Sequence, residues 1–379
     1  MNIQLFKYLK TNTMQPTVTN PETLQSQVID LLRFPLIIGV VFIHNASSTL
    51  SIQGVEFGNS SPLPIHDACS QLFSEILGRV AVPLFFLISG FLFFLNLNFS
   101  KQTYAKKLRT RAKTLLIPYL FWNCSVILLH FVLHHIPSLD ALINNRFEFT
   151  PHYLLQSLWG EIVDGKATLP IAYPFWFIRD LMVLVVLTPL VYTYVKKLGV
   201  YGILLLSVLW LFGWWFTLPG LSIVAVFFFT LGAWISINRR NLVLEAEKVK
   251  YPILVLYPAL VIADLLTKGN GANLFIHNVG ILLGILFWLN VGASSIRTMV
   301  ITITKYKTVK AASVLGFSHI NTNFLTGVIS QGSWMANTKN AVAERNLLGR
   351  ITIVLIGLSS YYLLRKISPS FTNFITGGR

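Results

Sequence analysis

The sequence predicts an all-α, polytopic membrane protein with about ten transmembrane helices and both termini in the cytoplasm. Three observations carry this prediction. Apolar residues fill 54% of the 379 positions and charged residues only 12%, about half the charge of an average soluble domain, which excludes a soluble fold. The apolar residues gather in blocks of about 18 to 24, each long enough to cross ~30 Å of hydrocarbon as a helix and without the alternation of a barrel strand. Lys and Arg sit in short tracts between these blocks, so the net charge of +16 reads as positive-inside topology and gives no reason to expect a nucleic-acid partner.

Taken in order, residues 1–28 form a polar lead-in that lacks the basic-then-apolar order of a cleaved signal. The membrane domain, 29–366, opens with the span 29–49, DLLRFPLIIGVVFIHN and beyond. The second span, 70–97, holds FSEILGRVAVPLFFLISGFLFF, where Pro83 loosens the helix and Ser89-Gly90 permits close approach of another backbone. Six basic residues between 101 and 113 precede the third span, 114–136. A long polar and aromatic loop, 137–173, then lies outside. Spans at 174–195, 199–217, 220–237, 251–267 and 272–293 follow as apolar blocks. The ninth, 311–330, is AASVLGFSHINTNFLTGVIS, the least apolar, and it is needed to return both termini to one side. The tenth is 349–364, and 367–379 reads as a cytoplasmic tail with no further domain. With this topology 22 of the 30 Lys and Arg fall on the inside and 6 on the outside, which sets the orientation. The two cysteines, Cys69 and Cys124, have neither metal-site nor disulfide-framework spacing.

Ionisable side chains within spans are energetically expensive and therefore mark candidate sites. Arg33 and His44 are eleven positions apart, about 20° past three full turns, so they share one helix face roughly 16 Å apart along the axis. Arg33 is expected near the cytoplasmic mouth and His44 in the outer half. Glu75 and Arg79 are an i,i+4 pair in the second span, with Arg79 at a depth similar to His44. Trp176, Arg179 and Asp180 open the fourth span from the outside. As neighbours in sequence, Arg179 and Asp180 point in different directions and are not expected to neutralise each other.

The tract before the third span offers Arg109, Arg111 and Lys113 as a phosphate clamp, because Arg forks and Lys point charges hold phosphate oxygens well. No Walker or Rossmann glycine pattern occurs. His130 and His134 have metal-ligand spacing but lack a carboxylate partner, so no metal site is expected. His66-Asp67 falls in the first outer loop. His277 and His319 are intramembrane and have no assigned role. No repeat of transporter type is visible.

In order and spacing, Arg33-x10-His44, RVAVPLFFLISGFLFF at 79–94, RTRAKTLLIPYLFW at 109–122, FWFIRDL at 175–181 and the closing ISPSFTNFITGGR together resemble the acyltransferase 3 family of integral-membrane acyltransferases, in a bacterial form. The resemblance implies a ten-helix domain in the bacterial inner membrane, surrounded by lipid. It would take an acyl group, usually acetyl, from acyl-CoA on the cytoplasmic side to a carbohydrate hydroxyl. The family's essential Arg-x10-His pair falls on Arg33 and His44. One departure is the penultimate helix, where the family has Ser-Phe-Phe-Ile-Tyr running into a His and this sequence has AASVLGFSHINTNF, with His319 nearest that position.

These readings give His44 and Arg33 as catalytic candidates and Arg33, Arg109, Arg111 and Lys113 as the CoA-phosphate site. Arg79, Trp176, Arg179 and Asp180 are acceptor-binding candidates. Acetyl-CoA is the expected donor substrate, and no tightly bound cofactor is expected. The competing class is a transporter or flippase for an anionic glycan, with Arg33, Arg79 and Arg179 along its path.

Overall fold

The computed structural model describes residues 20–44, 49–52, 55–58, 71–96, 100–135, 150–268, 273–298 and 359–377. Side chains are described except at 44, 49–52 and 55–58. The predicted ninth span with His319, the first outer loop with His66 and Asp67, and most of the tenth span lie outside the described residues.

Among the described residues six helical stretches have the length and composition to cross a membrane: α1 (Pro21–His44), α2 (Gln71–Phe94), α3 (Lys101–His134), α6 (Thr188–Leu211, two helices joined at Gly199), α9 (Lys250–Thr267) and α10 (Asn273–Thr298). With the shorter apolar α7 (Ile223–Ile237), they make this an all-α multi-pass membrane protein. Short helices fill the connections: α4 (Pro151–Trp159), α5 (Trp176–Val186) and α8 (Leu242–Glu247). Helix α11 covers 359–367 and α12 covers Pro369–Thr376. Two small hairpins are the described β-structure: β1 (Thr49–Ile52) with β2 (Val55–Gly58), and β3 (Ile162–Val163) with β4 (Lys166–Ala167).

Three helices depart from a regular course where the sequence dictates it. Pro83 has no N–H to give, and α2 runs as a π-helix over Gln71–Leu77 and a 3-10 turn over Gly78–Val80 before becoming regular at Ala81. Pro118 does the same to α3, whose preceding turn, Ala112–Leu116, widens into a π-helix. The basic tract 101–113 forms the first three turns of a helix that continues into the third span. In α6, Gly199 takes a φ of 54° and a ψ of −131°, and the Tyr194 hydroxyl donates to the Gly202 carbonyl at 2.8 Å. Eight residues of straight helix would separate those two by about 12 Å. The chain folds back at Gly199, as the division between the spans 174–195 and 199–217 requires.

The centre of the bundle is the crossing of α2 and α7. A Cβ on Gly90 would run into the Phe229 carbonyl, and one on Gly232 into the Leu87 carbonyl, so the two backbones touch. Gly90 of the small Ser89-Gly90 pair therefore serves helix packing. Around it, Phe93, Phe228 and Phe229 are fully buried, and Trp210 stacks 5.4 Å from Phe227. Gly232→Leu should force the helices apart at a cost of about 3 kcal/mol, the upper end of ordinary overpacking. We expect the Tm in detergent, followed by tryptophan fluorescence, to fall by at least about 5 °C.

One end of the bundle gathers the start of α1 and the basic tracts. Asn241 donates to the Pro21 carbonyl at 2.9 Å, Tyr104 to Val186 at 2.9 Å, and Lys107 to Phe93. The other end carries His44, the segment 150–175 and the turn into α7.

Candidate active site

At the Arg33 end, four turns of α3 set the distribution of charge. Ser100 caps this helix by accepting from the Thr103 amide at 3.2 Å. Positions 109 and 113 are one turn apart and share a face, whereas 111 points about 200° away. Accordingly Lys106, Arg109 and Lys113 line a cleft of about 850 Å³ closed on its far side by Ser370, Asn373 and Phe374 of α12. Gly377, at a φ of 73°, seats this C-terminal segment against Thr114, where a Cβ would stand 2.5 Å from the Thr114 carbonyl oxygen. Arg111 instead lies on the opposite face, where the apolar stem of its side chain lines a cavity of about 330 Å³ between α3 and α5, with Leu115, Trp159, Met182 and Val186 among its walls. The expected trio Arg109, Arg111 and Lys113 is therefore not one clamp. It divides between two faces of α3 because the tract is helical.

Arg111 does meet a predicted partner. It lies within electrostatic range of Arg33, and Lys107 lies within range of it. Arg33 holds Asp30 at 2.6 Å with both side chains exposed, and Lys107 also covers the Phe93 ring at 5.0 Å. Among the described residues no carboxylate pairs with Lys107 or Arg111, so three cations converge against a single acid.

At the other end, α1 terminates at His44, whose side chain lies outside the description. Five residues earlier, Gly39 packs on α2: a Cβ there would stand 3.3 Å from the Ala81 Cβ and 3.5 Å from the Gly78 Cα. This crossing places Arg79 beside the last turns of α1. Its guanidinium holds Glu75 through Nη2 at 2.8 Å and Nε at 3.2 Å, and both side chains remain accessible. The pair bridges the π-helical turn, so the helix distortion and the polar cluster occupy one place.

The structure corrects the reading of Arg179 and Asp180. Their side chains are 4% and 1% exposed, and they do form an ion pair, with Arg179 Nη2 and Nε both 3.2 Å from Asp180 Oδ1. Directions fixed at Cβ do not bind a side chain as long as arginine, which folds back over its neighbour. Arg179 Nη1 donates to the carbonyls of Trp159 (2.6 Å) and Thr168 (3.3 Å). Asp180 Oδ2 accepts from the Ser222 amide at 3.1 Å, at the start of α7. The pair thus braces the segment 159–168, α5 and α7 together. Gly160, at a φ of 92°, makes the approach feasible, because a Cβ there would lie 2.4 Å or so from the Thr168 carbonyl and 3.0 Å from Arg179 Nη1. Trp176 is half-buried against the core, its ring 6.4 Å from Phe86.

Sequence reasoning left His277 unassigned and passed over its partner. The Nδ1 of His277 lies 2.7 Å from Asp264 Oδ2, and Asn273 donates to Asp264 Oδ1 at 2.8 Å. An acid in the middle of YPALVIADLLT was the available signal. By contrast His130 and His135 give their Nδ1 hydrogens to the carbonyls of Val126 (2.9 Å) and Phe131 (2.8 Å), one turn back in the same helix.

Comparison with known proteins adds two positive findings. Over 170 residues, 45% of this chain, the sequence is 29% identical to the succinoglycan biosynthesis protein ExoH of Rhizobium meliloti (strain 1021). The matched stretch spans 43% of that protein's length. No solved structure matches. The family model described as an acyltransferase domain matches residues 27–306, a stretch that holds Arg33, His44, Arg79, the basic face of α3, the Arg179 brace and the His277–Asp264 pair, and the chain belongs to this acyltransferase 3 family.

Proposed function

We propose that this protein is an O-acyltransferase of the bacterial inner membrane, moving an acyl group, acetyl in the first instance, from acyl-CoA to a hydroxyl of a cell-surface or lipid-linked carbohydrate. In this reading it crosses the membrane ten times, with the Arg33 end cytoplasmic. The observation that carries it is the gathering of cations around Arg111, which lies within electrostatic range of Lys107 and of Arg33, the latter three turns before His44 on α1. Such a cluster is stabilised by an anion, and phosphate oxygens suit arginine forks. The cleft of Lys106, Arg109 and Lys113 offers a second phosphate contact, and the apolar cavity beginning at Arg111 suits a thioester arm. The relative's part in succinoglycan biosynthesis supports a polysaccharide acceptor.

The chemistry then needs a base at the acceptor. His44 takes the hydroxyl proton as that oxygen attacks the thioester carbonyl. The carbon–sulfur bond breaks as the new ester bond is completed, and the imidazolium returns the proton to the departing thiolate, giving free CoA. Arg79 stabilises the negative charge that develops on the carbonyl oxygen. A glycan carrier would need its arginines free along a path. Arg179, with its donors on Trp159, Thr168 and Asp180, is not a free station.

The donor half of this account predicts that Arg33→Ala and Arg111→Ala each weaken acetyl-CoA binding by roughly tenfold, the worth of a charge-assisted contact. Calorimetry on detergent-purified protein measures it. Unchanged affinity in both folded variants would remove the cation cluster from the donor site.

A further inference from the structure

The His277–Asp264 pair lies where the acyltransferase reading needs an acceptor. Its level follows from three glycine contacts. On α10, a Cβ on Gly292 would stand 3.0 Å from Val28 and 3.6 Å from Leu32 of α1, toward the Arg33 end. Two turns toward the other end, a Cβ on Gly284 would meet Val80 of α2 at 2.7 Å and Tyr257 of α9 at 2.9 Å. Val80 neighbours the Gly78–Gly39 crossing, so α10 runs antiparallel to α1 and Gly284 is level with Gly39. His277 is seven residues beyond Gly284, about 10 Å, and His44 five residues beyond Gly39, about 8 Å. The two histidines therefore occupy one level on packed helices. Seven residues is also close to two full turns, which puts His277 on the face of α10 that meets α2. The Glu75–Arg79 pair is on that stretch of α2.

The chemistry of the pair differs from that of the cation cluster at the opposite end. Asp264 is buried, its side chain 6% exposed, while His277 is open at 22%. The carboxylate fixes the tautomer by accepting from Nδ1, which leaves Nε2 as a lone-pair acceptor, with no partner among the described residues. The α9–α10 turn is also held by Asn273, whose Nδ2 shares its two hydrogens among Asp264 O (3.1 Å), Asp264 Oδ1 (2.8 Å) and Thr267 Oγ1 (3.0 Å). We infer that His277, oriented by Asp264, is an acceptor subsite that takes a polyhydroxylated ligand, a sugar hydroxyl donating to Nε2 beside the hydroxyl that His44 activates. This rests on the acyltransferase reading above.

The test separates the two halves of the reaction. Cells lacking the chromosomal copy are complemented with wild type or variants, and the O-acyl content of extracted surface polysaccharide is measured. The same proteins, purified in detergent, are assayed for acetyl-CoA binding and for its slow hydrolysis without acceptor. His277→Asn keeps a donor toward Asp264 and loses Nε2. It should cut O-acyl content about tenfold or more, the effect of leaving one buried polar partner unmet, with acetyl-CoA binding and hydrolysis within about twofold of wild type. Asp264→Asn should act in the same direction. Wild-type acylation by His277→Asn would overturn the inference, and so would loss of donor binding together with acylation, which marks a purely structural pair. Wild-type protein that neither acylates nor hydrolyses, and so cannot be told from His44→Ala, would instead overturn the acyltransferase reading itself.

Discussion

His44→Ala is expected to lower acyl transfer by about 10³-fold, within the range supplied by a positioned general base, while leaving acetyl-CoA affinity and thermal stability near wild type. The separation follows from where the residue sits. His44 is the last residue of α1, beyond the Gly39–Gly78 crossing that packs this helix on α2, so the crossing itself is untouched by the substitution. The cations assigned to the donor lie about 16 Å away along the axis, at the level of Arg33. Steady-state release of CoA and incorporation of labelled acetyl groups measure the loss of turnover, and equilibrium binding measures what is retained. A variant that transfers at the wild-type rate would remove His44 from the chemistry. One that also loses donor affinity would place His44 in the donor site.

Arg179→Ala is expected to be the most damaging single change to the fold. The guanidinium is 4% exposed and joins Asp180, Trp159 and Thr168. Its removal leaves a buried carboxylate and two carbonyls without their charged partner, about 3–5 kcal/mol by comparison with other broken buried pairs. Asp180 would retain only the Ser222 amide. Low yield in detergent and a Tm well below that of Gly232→Leu are the expected signs. The double replacement Arg179→Met with Asp180→Leu should recover part of the loss, because it removes both charges together. A singly substituted protein as stable as wild type would show that water reaches the pair and that it braces nothing.

The spans that fall on described residues were legible because hydrocarbon thickness imposes a length and a composition on a crossing helix, and even the fold-back at Gly199 appears as a gap between apolar blocks. Local proline effects were half legible. Pro83 announced a loosened α2, whereas the helical continuation of 101–113 into the third span, which splits Arg109 and Lys113 from Arg111, was not drawn from the sequence. The site followed the same division. Arg33, His44 and Arg79 could be placed by helical arithmetic within single helices. The ion pair of Arg179 with Asp180 depends on how a long side chain folds back, and its brace depends on carbonyls at 159 and 168 that only the tertiary fold brings near. Asp264 and His277 are on different helices, so neither explains the other until α9 and α10 are packed.

The central claim is acyl transfer from CoA, and the most direct measurement mixes detergent-purified wild-type protein with acetyl-CoA labelled in the acetyl group and with surface polysaccharide from cells lacking the protein. The account predicts saturable release of CoA with the label appearing as an alkali-labile ester on the polysaccharide. A folded, monodisperse sample that releases no CoA and leaves the polysaccharide unlabelled would contradict it.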